Sequence, residues 1–182
     1  IVSFSKYNLI DEYNNTISTV SNPNYNSSSS YLRLKNFINN SDDGFGYGLF
    51  KTDQIKDVCF PTWWWPNKKT PYNNIFPTLC FYLAKGNYVE YSNQPLFFKR
   101  VKTEKNTNHK LIGQGNAFKE TAAYIIRRFN LITFSTKEIR KANSVLLALR
   151  VYPIIFYHWF FISSYQQIKL SLKSFIKNRL RN

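Results

Sequence analysis

Apolar positions change period several times along the chain, and each change marks an expected element. Ile1 to Ile10 is mixed and fits either a strand or an arm. Thr16 to Ser21 alternates β-branched and small polar residues, the pattern of a strand. Asn22-Pro23-Asn24 reads as a turn, and Tyr31-Leu32-Arg33-Leu34 as a second strand after the serine run Ser27–Ser30. Residues 36–47, rich in Asn, Asp and Gly, read as an exposed loop, with a third strand over Gly48 to Phe50. From Pro71 the spacing turns helical through Ile75, Leu79, Phe81, Tyr82 and Leu83. Pro77 kinks that helix or delays its start, and Gly86-Asn87 ends it. Leu96 to Val101 reads as a strand entering the charged loop Lys102–Lys110, and Lys110-Leu111-Ile112 as a short strand. A helix from about Asn116 to Phe129 places Phe118, Ala122, Ile125, Ile126 and Phe129 inward. Leu131 to Ser135 reads as a strand.

Past residue 140 the composition shifts. Val145 to Ile162 is apolar but interrupted by Arg150, Pro153 and His158, and residues 165–182 form a basic amphipathic helix. The aromatic run Val151 to Ile162 is 12 residues long, whereas a membrane span needs about 20. Extending it back to Val145 brings in Arg150, at roughly 2.5–3.5 kcal/mol if placed at the bilayer centre. A helix buried against a protein neighbour is therefore expected, with no membrane span. The alternative class is an accessory membrane-associated subunit of a mitochondrial respiratory complex, with the basic tail marking the inner side.

Charge narrows the classes further. The chain has 182 residues and 25 Lys plus Arg against 10 acidic residues, a formal charge of +15, and a pI near 9.8. Such an excess repels itself in a compact state unless a polyanion neutralises it, which points to nucleic acid or an anionic membrane surface. The dominance of Asn, Lys, Ile, Phe and Tyr fits an AT-rich, organellar genome. Cys59 and Cys80 lack metal-ligand spacing and only His109 and His158 could join them, so no metal is expected. Both cysteines read as buried free thiols of a reducing compartment. Ile1 to Ile10 carries no long apolar core, so no cleavable signal peptide is expected.

Chemistry-bearing patterns are few. The carboxylates are scattered, no Ser or Cys has an evident His partner, and neither catalysis nor a cofactor is expected. Gly113-Gln114-Gly115 ahead of a helix lets the backbone approach an anion at the first turn, with Lys119 close behind. It is not a nucleotide-hydrolase phosphate loop, because Phe118 stands where the glycine before the lysine belongs. Arg127-Arg128 is either a phosphate contact or a solvated helix face. Trp63-Trp64-Trp65, between Pro61 and Pro66, either stacks on bases or a partner or packs over its own core.

Three segments in order carry a resemblance. Tyr13-Asn14-Asn15-Thr16-Ile17-Ser18-Thr19-Val20-Ser21, then Lys68-Lys69-Thr70-Pro71-Tyr72, then Gly113-Gln114-Gly115 with Lys119-Glu120-Thr121-Ala122 resemble the family of small-subunit ribosomal protein eleven. The first resembles its opening strand, the second its basic-Thr-Pro-Tyr entry to the first helix, the third its Gly-Pro-Gly loop and second helix. Leu131-Ile132-Thr133 and Lys137-Glu138-Ile139 continue the match toward the family's last strand. Gln114 replaces the family's Pro, Ala117-Phe118 lengthens the turn, and the Pro-rich basic tail is not recognisable.

The resemblance implies an α/β domain over residues 1–140, a mixed sheet flanked by helices with ribonuclease H-like topology. Insertions fall at about 36–66 and 87–109, and 141–182 is a lineage-specific helical basic extension. It implies a structural constituent of the small subunit of a mitochondrial ribosome, on the platform near the mRNA exit region. The partners are small-subunit rRNA and neighbouring ribosomal proteins. By this resemblance the RNA-binding residues are Asn14, Asn15, Thr16, Lys68, Lys69, Thr70, Tyr72, Gly113, Gly115, Lys119, Arg127 and Arg128, through charge, uncharged hydrogen bonds and close backbone approach.

Overall fold

The computed structural model describes residues 2–21, 25–40, 46, 48–55, 62–64, 71–73, 75–101 and 117–179. Strands and helices are both present, so the class is mixed α/β, as the pattern implies. The N-terminal residues, open between strand and arm, form β1 (Val2–Ile10), the strand on which the sheet is built. One edge of β1 holds β2 (Thr16–Val20) beside Tyr7–Ile10 and β3 (Leu49–Phe50) beside Val2–Ser3, both antiparallel. The other edge holds β6 (Tyr88–Arg100), running parallel to it. Ser5 pairs with Ser92 but Tyr7 with Phe97, so β6 bulges across the stretch containing Pro95. A proline without an N–H is tolerated at such a bulge. Phe4 and Tyr7, three residues apart on β1, are both buried, their rings 5.8 Å apart. A separate ribbon joins β4 (Thr62–Trp64) to β5 (Pro71–Asn73), and α2 (Thr52–Ile55) is a single turn.

Several expectations are corrected. Tyr31–Leu34 is not a strand. It opens α1 (Ser30–Asn40), whose buried residues Arg33, Leu34, Phe37 and Ile38 follow helical spacing. The preceding serines start this helix, Ser29 Oγ accepting from Leu32 N at 3.4 Å. Residues 36–40, read as loop, are therefore the end of a helix with Phe37 and Ile38 fully buried. Pro71 and Tyr72 lie in β5, not at a helix entry. The helix waits until α3 (Phe76–Lys85), with Pro77 in its first turn, where a missing N–H is harmless.

Leu131–Ser135 and Lys137–Ile139 are not strands either. Both lie inside α4 (Ala117–Ala142), one helix of 26 residues. Leu131, Ile132, Ser135 and Ile139 line its buried face, and a packed face outweighs the weak helix propensity of Ile132, Thr133 and Phe134. The same face overturns the inward assignment of Ile126 and Phe129, which are about half exposed, while Ala123 is buried. Residues 102–116, including the short strand expected at 110–112, and the turn at 22–24 lie outside the described residues.

The C-terminal region is helical throughout: α5 (Val145–Ile155), a π-helical segment Phe156–Ile162, and α6 (Ser163–Arg179). Ser144 caps α5, its side chain accepting from Leu147 N at 3.1 Å. The apolar stretch is longer than the aromatic run of 12 residues: Val145–Leu170 is helical along all 26 residues and passes the length and composition of a span, as the core helix of a soluble protein also can. Arg150 lies within this run, its guanidinium carbon 4.1 Å from the Tyr31 ring centroid.

Aromatic rings bind sheet to helices. Tyr88 on β6 meets Tyr25 at 5.6 Å, Tyr25 meets Phe37 on α1 at 6.1 Å, and Phe37 meets Trp159 of the π segment at 6.1 Å. Trp159 stacks on Phe76 of α3 at 5.4 Å. Ala148, Val151, Ile155 and Trp159 thus belong to the same core as Phe4, Leu34 and Leu83. Cys80 is buried in α3, and burial holds its thiol well above the ordinary cysteine range, so it is inert at neutral pH. Cys59 lies outside the described residues.

Candidate nucleic-acid interface

Two groups of the expected RNA-binding residues fall within the described parts of the chain. The first is the β1–β2 turn. Asp11 Oδ1 accepts from the backbone N–H groups of Tyr13 and Asn15, both at 2.8 Å, and Oδ2 accepts from Asn15 Nδ2 at 2.9 Å. These bonds, led by the Asn15 amide, hold the Asp11 carboxyl below its usual pKa. Asn14 takes a left-handed backbone, φ 68°, which asparagine tolerates better than most residues. Arg100 then donates to Asn14 Oδ1 at 2.6 Å and to the Glu12 carbonyl at 2.9 Å. Asn14 and Asn15 therefore serve the turn itself. Thr16 stands exposed at the head of β2, opposite Ile10.

The second group lies on α4. Tyr124, Arg127 and Arg128 stand at i, i+3 and i+4, on one helix face. Arg128 Nη2 donates to Tyr124 Oη at 2.6 Å, and its guanidinium carbon sits 4.7 Å from the ring centroid. The Arg127 guanidinium lies 5.6 Å from the same ring. With Leu131 these three residues line a hollow of about 130 Å³. Two permanently charged forks gathered around one tyrosine ring form a cationic patch. Such a surface takes phosphate oxygens through paired N–H donors and a base through stacking. Arginines packed on a tyrosine of their own helix fit a solvated helix face as well as a phosphate contact.

Other expected positions are not brought together. Lys68, Lys69, Thr70, Gly113 and Gly115 lie outside the described residues, as does Trp65. Tyr72 is placed on β5 opposite Trp63, and Lys119 in the first turn of α4, by backbone only. Two residues escaped the sequence reading. Tyr124 was legible as the i−3, i−4 neighbour of the arginine pair, whereas Arg100 acts through a contact far away in sequence and left no local signal. Among the described residues, no group of three or more His, Cys, Asp or Glu is placed to hold a metal ion. No protein-family model matches the chain, and no curated protein or solved structure is detectably similar to it.

Proposed function

We infer that the chain is a structural, rRNA-binding constituent of the small subunit of a mitochondrial ribosome. In this reading it sits on the platform near the mRNA exit region, among neighbouring ribosomal proteins. The observation that carries it is the pairing of a +15 charge with an ordered Tyr124–Arg127–Arg128 cluster. The three ordered motifs and their resemblance to ribosomal protein eleven supply the choice of partner. A ribonuclease H-like order of strands belongs to the same reading. The helices at Tyr31–Leu34 and Leu131–Ser135 stand where that order expects strands, so the support rests on charge and cluster more than on topology.

The test is salt-resolved binding of the full chain to small-subunit rRNA, alongside co-sedimentation with ribosomal subunits. Affinity should fall steeply with salt, and Arg127→Ala with Arg128→Ala should reduce the log–log slope by about two. Particles that contain this chain but no rRNA would sink the reading. So would a slope unchanged by the double substitution.

A further inference from the structure

The rod from Val145 to Leu170 has two faces that behave differently. Ala148, Val151, Ile155, Trp159 and Ser164 are buried, facing a core that includes α1 and α4. On the outside, Leu149, Pro153, Tyr157, Phe161, Tyr165 and Ile168 are all exposed. These six recur at steps of four, four, four, four and three residues. In a plain α-helix each four-residue step over-rotates by about 40°, so such a stripe drifts off its face. The wider turn of the π segment at Phe156–Ile162 rotates the chain the other way. It keeps the outer stripe outward and Trp159 inward over the whole rod, about 39 Å long.

The charge around this stripe is one-sided. No carboxylate follows Glu138 in the sequence, while Lys169, Lys173, Lys177 and Arg179 follow along α6. We propose that this stripe docks the protein onto the surface of an anionic lipid bilayer, the rod lying in the interfacial plane. An apolar stripe with tyrosines, on a segment of sequence whose charged residues are all basic, is complementary to acyl chains and anionic headgroups. RNA fits the basic charge of this segment but offers nothing apolar to cover Leu149 and Ile168. A transmembrane pose is ruled out by the inner face, because packed α4 would carry Arg127, Arg128, Lys137, Glu138, Arg140 and Lys141 into hydrocarbon. The docking surface is independent of the arginine cluster, so either reading stands if the other falls.

Flotation of the nuclease-treated full chain with phosphatidylcholine vesicles, with and without phosphatidylglycerol, tests this. Leu149 and Tyr165 are 65% and 66% exposed, so Leu149→Glu with Tyr165→Glu should leave the fold intact by circular dichroism. The wild type should float with anionic vesicles and far less with neutral ones. The double variant should lose on the order of tenfold or more in partitioning while keeping its rRNA affinity. If the charged pair perturbs folding, Leu149→Ser with Ile168→Ser removes apolar area without adding charge and should show the same loss. Wild type that stays with the unbound fraction overturns the proposal. Flotation indifferent to both pairs of substitutions overturns it too. So does concentration-dependent self-association in the absence of lipid that the same substitutions abolish, since the stripe would then belong to a second copy of the chain.

Discussion

Arg33 is 2% exposed, and its hydrogen bonds reach neutral oxygens. Nε donates to the Leu83 carbonyl at 2.9 Å, Nη1 to the carbonyls of Ser27 and Ser28 and to Asn87 Oδ1, and Nη2 to Ser30 Oγ. Leu83 is among the last carbonyls of α3, which no intrahelical N–H satisfies. Its neighbour Ala84 accepts from Ser30 Oγ and Asn143 Nδ2. A cation at that end also complements the helix dipole. Burial lowers the guanidinium pKa from its ordinary value, but an arginine remains charged across the accessible pH range. Arg33→Met should therefore cost about 3 kcal/mol, because buried carbonyls are left without donors. Arg33→Lys should fall between the two, having charge but no fork. Urea unfolding ranks the three, and a neutral Arg33→Met would refute the role.

Asp11 makes the opposite kind of contribution, at the surface turn and pH-dependent. Its folded pKa lies below the ordinary value of 3.8 because hydrogen bonds favour the carboxylate. The order it gives the turn is thus complete above the unfolded pKa and lost as pH falls through the depressed one. The Asn15 amide should exchange slowly near neutral pH and lose protection only in acid. Asp11→Ala should show fast exchange at every pH. Equal exchange in both proteins would remove the turn's explanation for Asn14 and Asn15.

At the scale of elements, the π segment decides how the C-terminal rod joins the fold. Trp159 is 2% exposed between Phe37 and Phe76, whereas Tyr157, two residues earlier, is 57% exposed. Trp159→Ala should cost about 4 kcal/mol, and Tyr157→Ala less than about 0.5 kcal/mol. Similar losses at both positions, read by thermal unfolding, would contradict the described packing. This element also shows what was legible beforehand. Apolar spacing revealed β2, the helices at 76–85 and 117–129, and a helix over the basic C-terminal stretch as far as Arg179. It misread Tyr31–Leu34, where Leu32 and Leu34 mimic alternation, because the helical partners Phe37 and Ile38 sat in a stretch judged polar. It misread Leu131–Ser135 because Ile132, Thr133 and Phe134 favour strands when considered locally, while the packing of α4 on α3 is a tertiary fact. The arginine pair was legible as charge, and its ring partner only once the helix was placed. Arg33 and Arg100 were illegible, since their acceptors come from other elements.

For the whole molecule, the charge excess makes folding and binding respond to salt with opposite signs. A net +15 repels itself, and that repulsion is strongest when the chain is compact. At low ionic strength the Debye length is comparable to the size of the domain, so most of the cations feel one another; near physiological salt it shrinks to about 8 Å and only neighbours interact. Added salt should therefore raise the melting temperature of the free protein, by roughly 2–4 °C for each kcal/mol of repulsion removed. The same salt weakens rRNA binding, because the counterions released on association are returned to a richer bath. A short polyanion should act like salt on stability at far lower concentration, since it binds the folded surface preferentially. Melting curves across a sodium chloride series, with and without polyphosphate, measure the first effect, and the binding series measures the second. A melting temperature that falls with salt would mean that ion pairs hold the fold together, and the excess charge would then lose its standing as an unmet demand for a polyanion.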